Sequence, residues 1–176
     1  MRLVITLMVI VVLFLPSTAL AQKGRWGQKR TKGPKFNDPA FQADREIFHY
    51  LLTHRGQIRR TVKNLKNGVE TVTESDNPTV ALVIQKHVES MHKRVKNGSP
   101  IHMRDPLFRA IFSNWKKIKM KVQKTKRGVR VIETSDDLHV AKLIRAHAQV
   151  VSLFIANGPT EVRRNHAVPP SKKQGK

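Results

Sequence analysis

The residues of this chain best suited to chemistry are two histidines, His87 and His147, which lie 60 residues apart at equivalent positions of two similar segments. Each falls on the apolar stripe of a predicted helix. Neutral imidazoles are common ligands of transition metals and of haem iron. The sequence therefore leaves two interpretations open: the pair binds a transition metal or non-covalent haem, or both rings are structural and have ordinary hydrogen-bond partners.

A third ligand is harder to find, and His54 is the best candidate because it stands just before the first predicted strand while its counterpart is Asn114. Two histidines alone are an incomplete set of metal ligands. The chain has no H-E-x-x-H, no glycine-rich phosphate loop and no G-x-S-x-G motif. Paired acids such as Glu74 and Asp76 precede a helix, where capping explains them. We therefore expect a protein that is not an enzyme.

The elements that position these histidines come from an internal duplication. Residues 47–98 and 107–158 align without a gap, and fourteen of the 52 paired positions are identical. The shared residues are mostly apolar, glycine or capping residues, so the repeat mainly specifies a fold.

Each repeat is predicted to contain a helix, a β-hairpin and a second helix. Asp38-Pro39 and Asp105-Pro106 are helix starts, with an acid as N-cap and proline at the first helical position. Alternating runs around Asn67-Gly68 and Arg127-Gly128 predict the hairpins. Ser75-Asp76 and Ser135-Asp136 are predicted to cap the second helix of each repeat.

The predicted fold is α+β, with two tandem α-β-β-α repeats. We expect one antiparallel four-stranded sheet with helices packed on one face and a pseudo-twofold axis between the halves. The alternative is a fold in which the two hairpins never join into one sheet. The connector between the repeats is short, so residues 38–158 are expected to form a single domain.

Both ends of the chain differ in composition from the repeats. Residues 1–21 combine Arg2, an apolar run and the ending Ala19-Leu20-Ala21, which predicts a secretory signal peptide, with an uncleaved anchor as the alternative. Residues 22–37 are expected to be a disordered basic arm and residues 159–176 an extended basic tail. We therefore expect a secreted or periplasmic protein without a transmembrane segment after cleavage, and the absence of cysteine excludes disulfides.

The chain is strongly basic, with 34 Lys and Arg against 12 Asp and Glu and a net charge of +22. Basic side chains cluster on the predicted hairpins, where a wet sheet face could bind an anionic polymer or an envelope surface. Aromatic residues that would stack on bases are scarce, so sequence-specific binding of nucleic acid is not expected. The candidate anion-binding residues are Arg59, Arg60, Lys63, Lys117, Lys119, Lys121 and Arg130.

The segment from His54 to Met91, the run RDPLFRAIF and the segment from Gly128 to Gly158 resemble a group of small exported bacterial proteins with the same duplicated layout. The resemblance covers residues from about Phe48 to Pro169. It implies export and a bacterial envelope setting, and it assigns no activity and no site.

Three functional hypotheses remain at this point. The first is an exported binding protein that holds a metal or haem through His87, His147 and His54. The second is an envelope or anionic-polymer binding protein whose histidines are structural. The third is a subunit that docks on an acidic partner.

Overall fold

The structure is a computed structural model that describes residues 38–171, all of which belong to one compact unit. The predicted signal peptide and the predicted basic arm lie outside the described residues, as do the last five residues. The helices are α1 (Pro39–Thr53), α2 (Pro78–Asn97), α3 (Pro106–Ser113), α4 (Leu138–Asn157) and α5 (Pro159–Val162). The strands are β1 (Arg59–Leu65), β2 (Gly68–Glu74), β3 (Lys119–Thr125) and β4 (Gly128–Thr134).

The four strands form one antiparallel sheet in the order β1-β2-β4-β3. This confirms the predicted α+β class and the four-stranded antiparallel sheet, and it excludes two separate hairpins. The hairpins join through β2 and β4, where Thr71 lies opposite Val131 at the centre of the register. Within each hairpin, alternation of side chains puts Val62 and Val122 on the same face as these two residues.

Gly68 and Gly128 are required by the close approach of β2 and β4. A Cβ atom on Gly68 would lie 1.9 Å from the carbonyl oxygen of Glu133, and one on Gly128 would lie 2.1 Å from the carbonyl oxygen of Thr73. No side chain fits at such distances. The sequence marked both glycines as turn residues, whereas the structure shows that each is the first residue of a strand.

The helix ends agree with their local sequence signals at most positions. The carboxylates of Asp38 and Asp105 accept hydrogen bonds from backbone N–H groups in the first turns of α1 and α3, as predicted. The caps of α2 and α4 are Asn77 and Asp137, one or two residues later than predicted. Gly98 ends α2 in the left-handed conformation, with φ of 61°.

The long helices cross over between the hairpins. Helix α2 packs on β4 and β3, whereas α4 packs on β2 and β1. The side chain of Gln85 in α2 donates to the carbonyl oxygens of Thr125 and Gly128, and Arg145 in α4 donates to those of Leu65 and Lys66. Each hairpin is therefore held by the helix that follows the other hairpin, so neither half forms a separate body.

Within the described part of the chain, α4 is the one helix long and apolar enough to cross a membrane by length and composition. Core helices pass the same test, and α4 buries Val140, Leu143, Ile144 and Phe154 against the sheet and the other helices. These contacts identify α4 as a core helix.

Candidate functional site

A cavity of about 430 Å³ lies between the helices and the inner face of the sheet. Most of its lining is apolar. Side chains from every helix and from all four strands contribute to it, with Ile84, Met91, Phe108, Val131 and Phe154 among them. Volumes of this size are typical of sites that bind a small molecule or a cofactor, especially when a few polar groups interrupt an apolar wall.

His87 and His147 both line this cavity. Burial lowers the pKa of each imidazole from its usual value of 6.5 to about 4. Charged groups near the rings make smaller contributions that raise or lower the pKa. Each of the two residues keeps part of its surface accessible, and both line the cavity. Both rings are therefore neutral at ordinary pH, which is the protonation state that a metal ligand needs.

The rings of His87 and His147 each pack against a phenylalanine, and neither ring makes a hydrogen bond to another described residue. His87 stacks on Phe48 with ring centroids 5.9 Å apart, and His147 meets the edge of Phe108 at 5.1 Å. The Nδ1 atom of His87 is buried and has no hydrogen-bond partner among the described residues. The bond to a hairpin threonine or to a backbone carbonyl, which a structural role would require, is not observed for this atom. An unpartnered buried nitrogen calls for an explanation, and a ligand supplies one.

His54 does not lie with the other two histidines. Its Nδ1 donates to the carbonyl oxygen of Tyr50 at 2.8 Å, and its ring stacks on the same tyrosine at 4.0 Å. The residues that line the cavity do not include it. Because the end of α1 turns this side chain back onto its own helix, the structure does not support His54 as a third ligand.

The second histidine of the cavity wall with a buried, unpartnered nitrogen among the described residues is His102, which sequence reasoning left without a role. Its ring packs edge-on against Phe108 at 4.7 Å, and its Nε2 atom has no partner in the described structure. Its φ of 56° is unusual for a residue with a side chain. His102 lies in the connector between the repeats, where no sequence signal marks it.

These histidines do not converge as a closed metal site. Across residues 38–171, no group of three or more His, Asp or Glu side chains is arranged to hold a metal ion.

Comparison with known proteins gives no relative. No protein family, curated protein or solved structure matches this chain. The resemblance to small exported proteins stays a prediction, and the site has to be interpreted from its own geometry.

Asp44, Arg45, His49 and Arg55 line the cavity from α1 and the turn after it, and two ionisable groups, Arg60 and Glu133, line it from the strands. Both belong to the inner face of the sheet, on strands β1 and β4. The Nη1 of Arg60 donates to the hydroxyl of Thr73 at 2.6 Å, but its Nε is buried without a partner among residues 38–171. Burial lowers the pKa of Arg60 and raises that of Glu133, and each group partly offsets the shift of the other. No ion pair joins them within 4.0 Å in the described structure.

The structure separates Arg60 from the other candidate anion-binding residues, because it faces the cavity and not the wet face. The remaining six are exposed. Four of these contact acids: Arg59 pairs with Asp76, Lys117 with Asp137, Lys119 with Asp136 and Arg130 with Glu70. Lys63 and Lys121 complete the set. The positive charge on this face is thus partly neutralised by neighbouring side chains.

Within the predicted tail, Pro159–Val162 form α5, and His166 anchors the segment beside the cavity. Its Nδ1 donates to Asp105 at 2.6 Å and its Nε2 to Glu161 at 3.0 Å. Burial opposes protonation of this ring, but the two carboxylates outweigh burial and raise its pKa. The ring also meets the edge of Phe154, a residue of the cavity wall.

Proposed function

We propose that this chain is an exported, non-catalytic binding protein whose cavity would hold non-covalent haem through His87 and His147. The observation that carries this proposal is the pair of buried, neutral histidines in the wall of one apolar cavity. Haem iron is commonly held by histidine, and the macrocycle needs an apolar surrounding.

Haem fits the described residues better than a bare transition ion does. A structural metal site usually closes with four protein ligands. His54 lies elsewhere, and in the described part of the chain no group of three ligands converges. The four equatorial ligands of haem come from the porphyrin, so two imidazoles are sufficient. The aromatic contacts of Phe48 and Phe108 would then hold the two imidazoles in place.

We further propose that the chain arose by duplication of an α-β-β-α unit, with His87 and His147 as copies of one ancestral ligand. The constant offset of 60 supports this, as do strands of seven residues in both hairpins and helices of 20 residues that carry the histidines. Export is supported by the signal-like composition of residues 1–21. Binding to an anionic polymer is less favoured, because acids already contact four of the candidate cations.

The test is a titration of purified protein, residues 22–176, with haemin, followed by absorption spectroscopy. Wild type should take up one haem per chain and give the low-spin spectrum of bis-imidazole coordination. His87→Ala and His147→Ala should each lose that spectrum and bind haemin at least about tenfold more weakly, since even an outer-shell group of a metal site is worth that much.

The matched control is His54→Ala, which removes a histidine outside the cavity wall. This variant should bind haemin like wild type and keep the same spectrum. Circular dichroism and thermal unfolding of all three variants check that the fold is retained. Absence of uptake by wild type, or equal binding by folded variants of all three histidines, would show that the cavity histidines do not ligate haem.

A further inference from the structure

The cavity contains a buried cation that lacks an anion. Arg60 projects from β1 into the cavity wall, and its only hydrogen bond within the described residues is to the neutral hydroxyl of Thr73. Its Nε atom has no partner. A buried charge is stable only when it is paired and hydrogen-bonded, because removal from water is costly. A guanidinium does not lose its proton in a protein, so it cannot escape this cost by becoming neutral.

Glu133 is the carboxyl that acts on Arg60 through space, but the two form no ion pair or hydrogen bond among the described residues. It lies on β4, two strands away from β1, and no contact within 4.0 Å connects it to Arg60. Burial raises the pKa of its carboxyl, which favours the uncharged form. The other charged groups of the lining have surroundings of their own: Arg45 is exposed, Arg55 donates to the carbonyl oxygen of Leu52, and Asp44 is paired with Arg94. The inner face of the sheet therefore presents one fixed positive charge, Arg60, and a carboxylic acid.

We propose that Arg60 binds the carboxylate of an amphipathic ligand whose apolar body fills the cavity. The unpartnered Nε edge of a guanidinium presents two parallel N–H donors, the geometry that a carboxylate accepts. A phosphate monoester would bring up to two negative charges to the sheet face, where Arg60 is the one cation among the described strand residues that line the cavity, so a monoanionic group suits this place better. The apolar wall accounts for the rest of the ligand.

The proposal rests on the proposed function only in placing a ligand in the cavity. Two kinds of molecule share the required chemistry: haem, through a propionate, and a long-chain fatty acid. The equivalent residue of the other hairpin, Met120, faces the same cavity, so Arg60→Met replaces the cation by a side chain that the fold already accepts at the matching position.

The experiment compares each acid with its ester in two ligand pairs, haemin with haem dimethyl ester and palmitate with methyl palmitate. Esterification removes the charge and keeps the apolar body. Wild type should prefer the acid by about a hundredfold in at least one pair, as expected when one partner of a buried charge pair is removed. Arg60→Met should bind acid and ester equally. Lys63→Met, on the exposed face of the same strand, should keep the wild-type preference.

The outcomes separate this proposal from the haem proposal. If haemin and its ester bind wild type equally well with bis-histidine spectra and palmitate shows no preference, haem binding stands and the role of Arg60 is refuted. If the palmitate pair alone binds and shows the Arg60-dependent preference, the carboxylate site stands and haem binding falls. A preference that survives in Arg60→Met, or failure of wild type to bind either acid, overturns the proposal for Arg60.

Discussion

His87 and His147 should make the stability of the ligand-free protein depend on pH, in a direction that follows from their burial. The pKa of each is about 4 in the folded chain against 6.5 when unperturbed. Between these values the unfolded chain binds more protons than the folded chain. The free energy of unfolding therefore falls as the pH falls through this window. The stability that the chain has with both rings neutral is fully present only above the unfolded pKa.

The size of the effect can be worked out for pH 5, where the carboxylates of Asp and Glu are still largely ionised in the unfolded chain. About 1.5 pH units separate pH 5 from the unfolded pKa, and each unit is worth about 1.4 kcal/mol, so each ring costs about 2 kcal/mol at pH 5. The double variant His87→Leu/His147→Leu should therefore lose about 4 kcal/mol less than wild type between pH 7 and pH 5.

Urea unfolding of the ligand-free chain at both pH values measures this difference. His166 and Glu133, whose raised pKa values favour the folded state at lower pH, remain in both proteins, so their contributions cancel in the comparison. His92→Leu, in α2 but outside the cavity wall, controls for the substitution itself. If the double variant shows the same pH dependence as wild type, the two rings are not held neutral by burial and the reasoning is refuted.

Two further substitutions test the packing that builds the cavity. Gly68→Ala should cost more than about 3 kcal/mol in the free energy of unfolding, because its Cβ would overlap the backbone of Glu133 and force β2 away from β4. Thermal unfolding measures this loss. The control is Gly56→Ala, where the added Cβ meets open space. Asp44→Ala should cost about 3–5 kcal/mol by leaving Arg94 buried without its partner, as urea unfolding would show.

The control for the buried pair is Lys93→Ala, which removes an exposed ion pair with Glu89 on the same helix. Such pairs contribute about 1 kcal/mol or less. Equal losses for the Asp44 and Lys93 variants would contradict the special role of burial, and an unchanged melting temperature in Gly68→Ala would contradict the close approach of the central strands.

The predicted helices and hairpins agree with the structure because their signals are local. Asp38-Pro39 and Asp105-Pro106 begin helices through hydrogen bonds to the adjacent turn, and Gly98 ends one through its own backbone conformation. The prediction of one sheet was also right, although the crossing of α2 and α4 over opposite hairpins was not foreseen. That exchange depends on how the halves pack, which no local signal specifies.

The polar groups of the cavity were only partly foreseen. His87 and His147 were found because each sits on an apolar helical stripe. Arg60 could have been found, because it has the same alternation as Val62 and therefore faces inward, but its charge favoured a place on the wet face. His102 lies in a loop, where neither periodicity of three to four nor of two applies.

The sequence by itself determined the elements, the four-stranded antiparallel sheet and the histidine pair, because helix periodicity, strand alternation and turn chemistry act over a few residues. Only the tertiary structure decided what these residues surround. The cavity, the unpaired Arg60, the neighbouring His102 and the position of His54 outside the cavity wall depend on distances between residues far apart in the chain. Such distances are set by the joint packing of helices and sheet, in which a local pattern leaves many arrangements open.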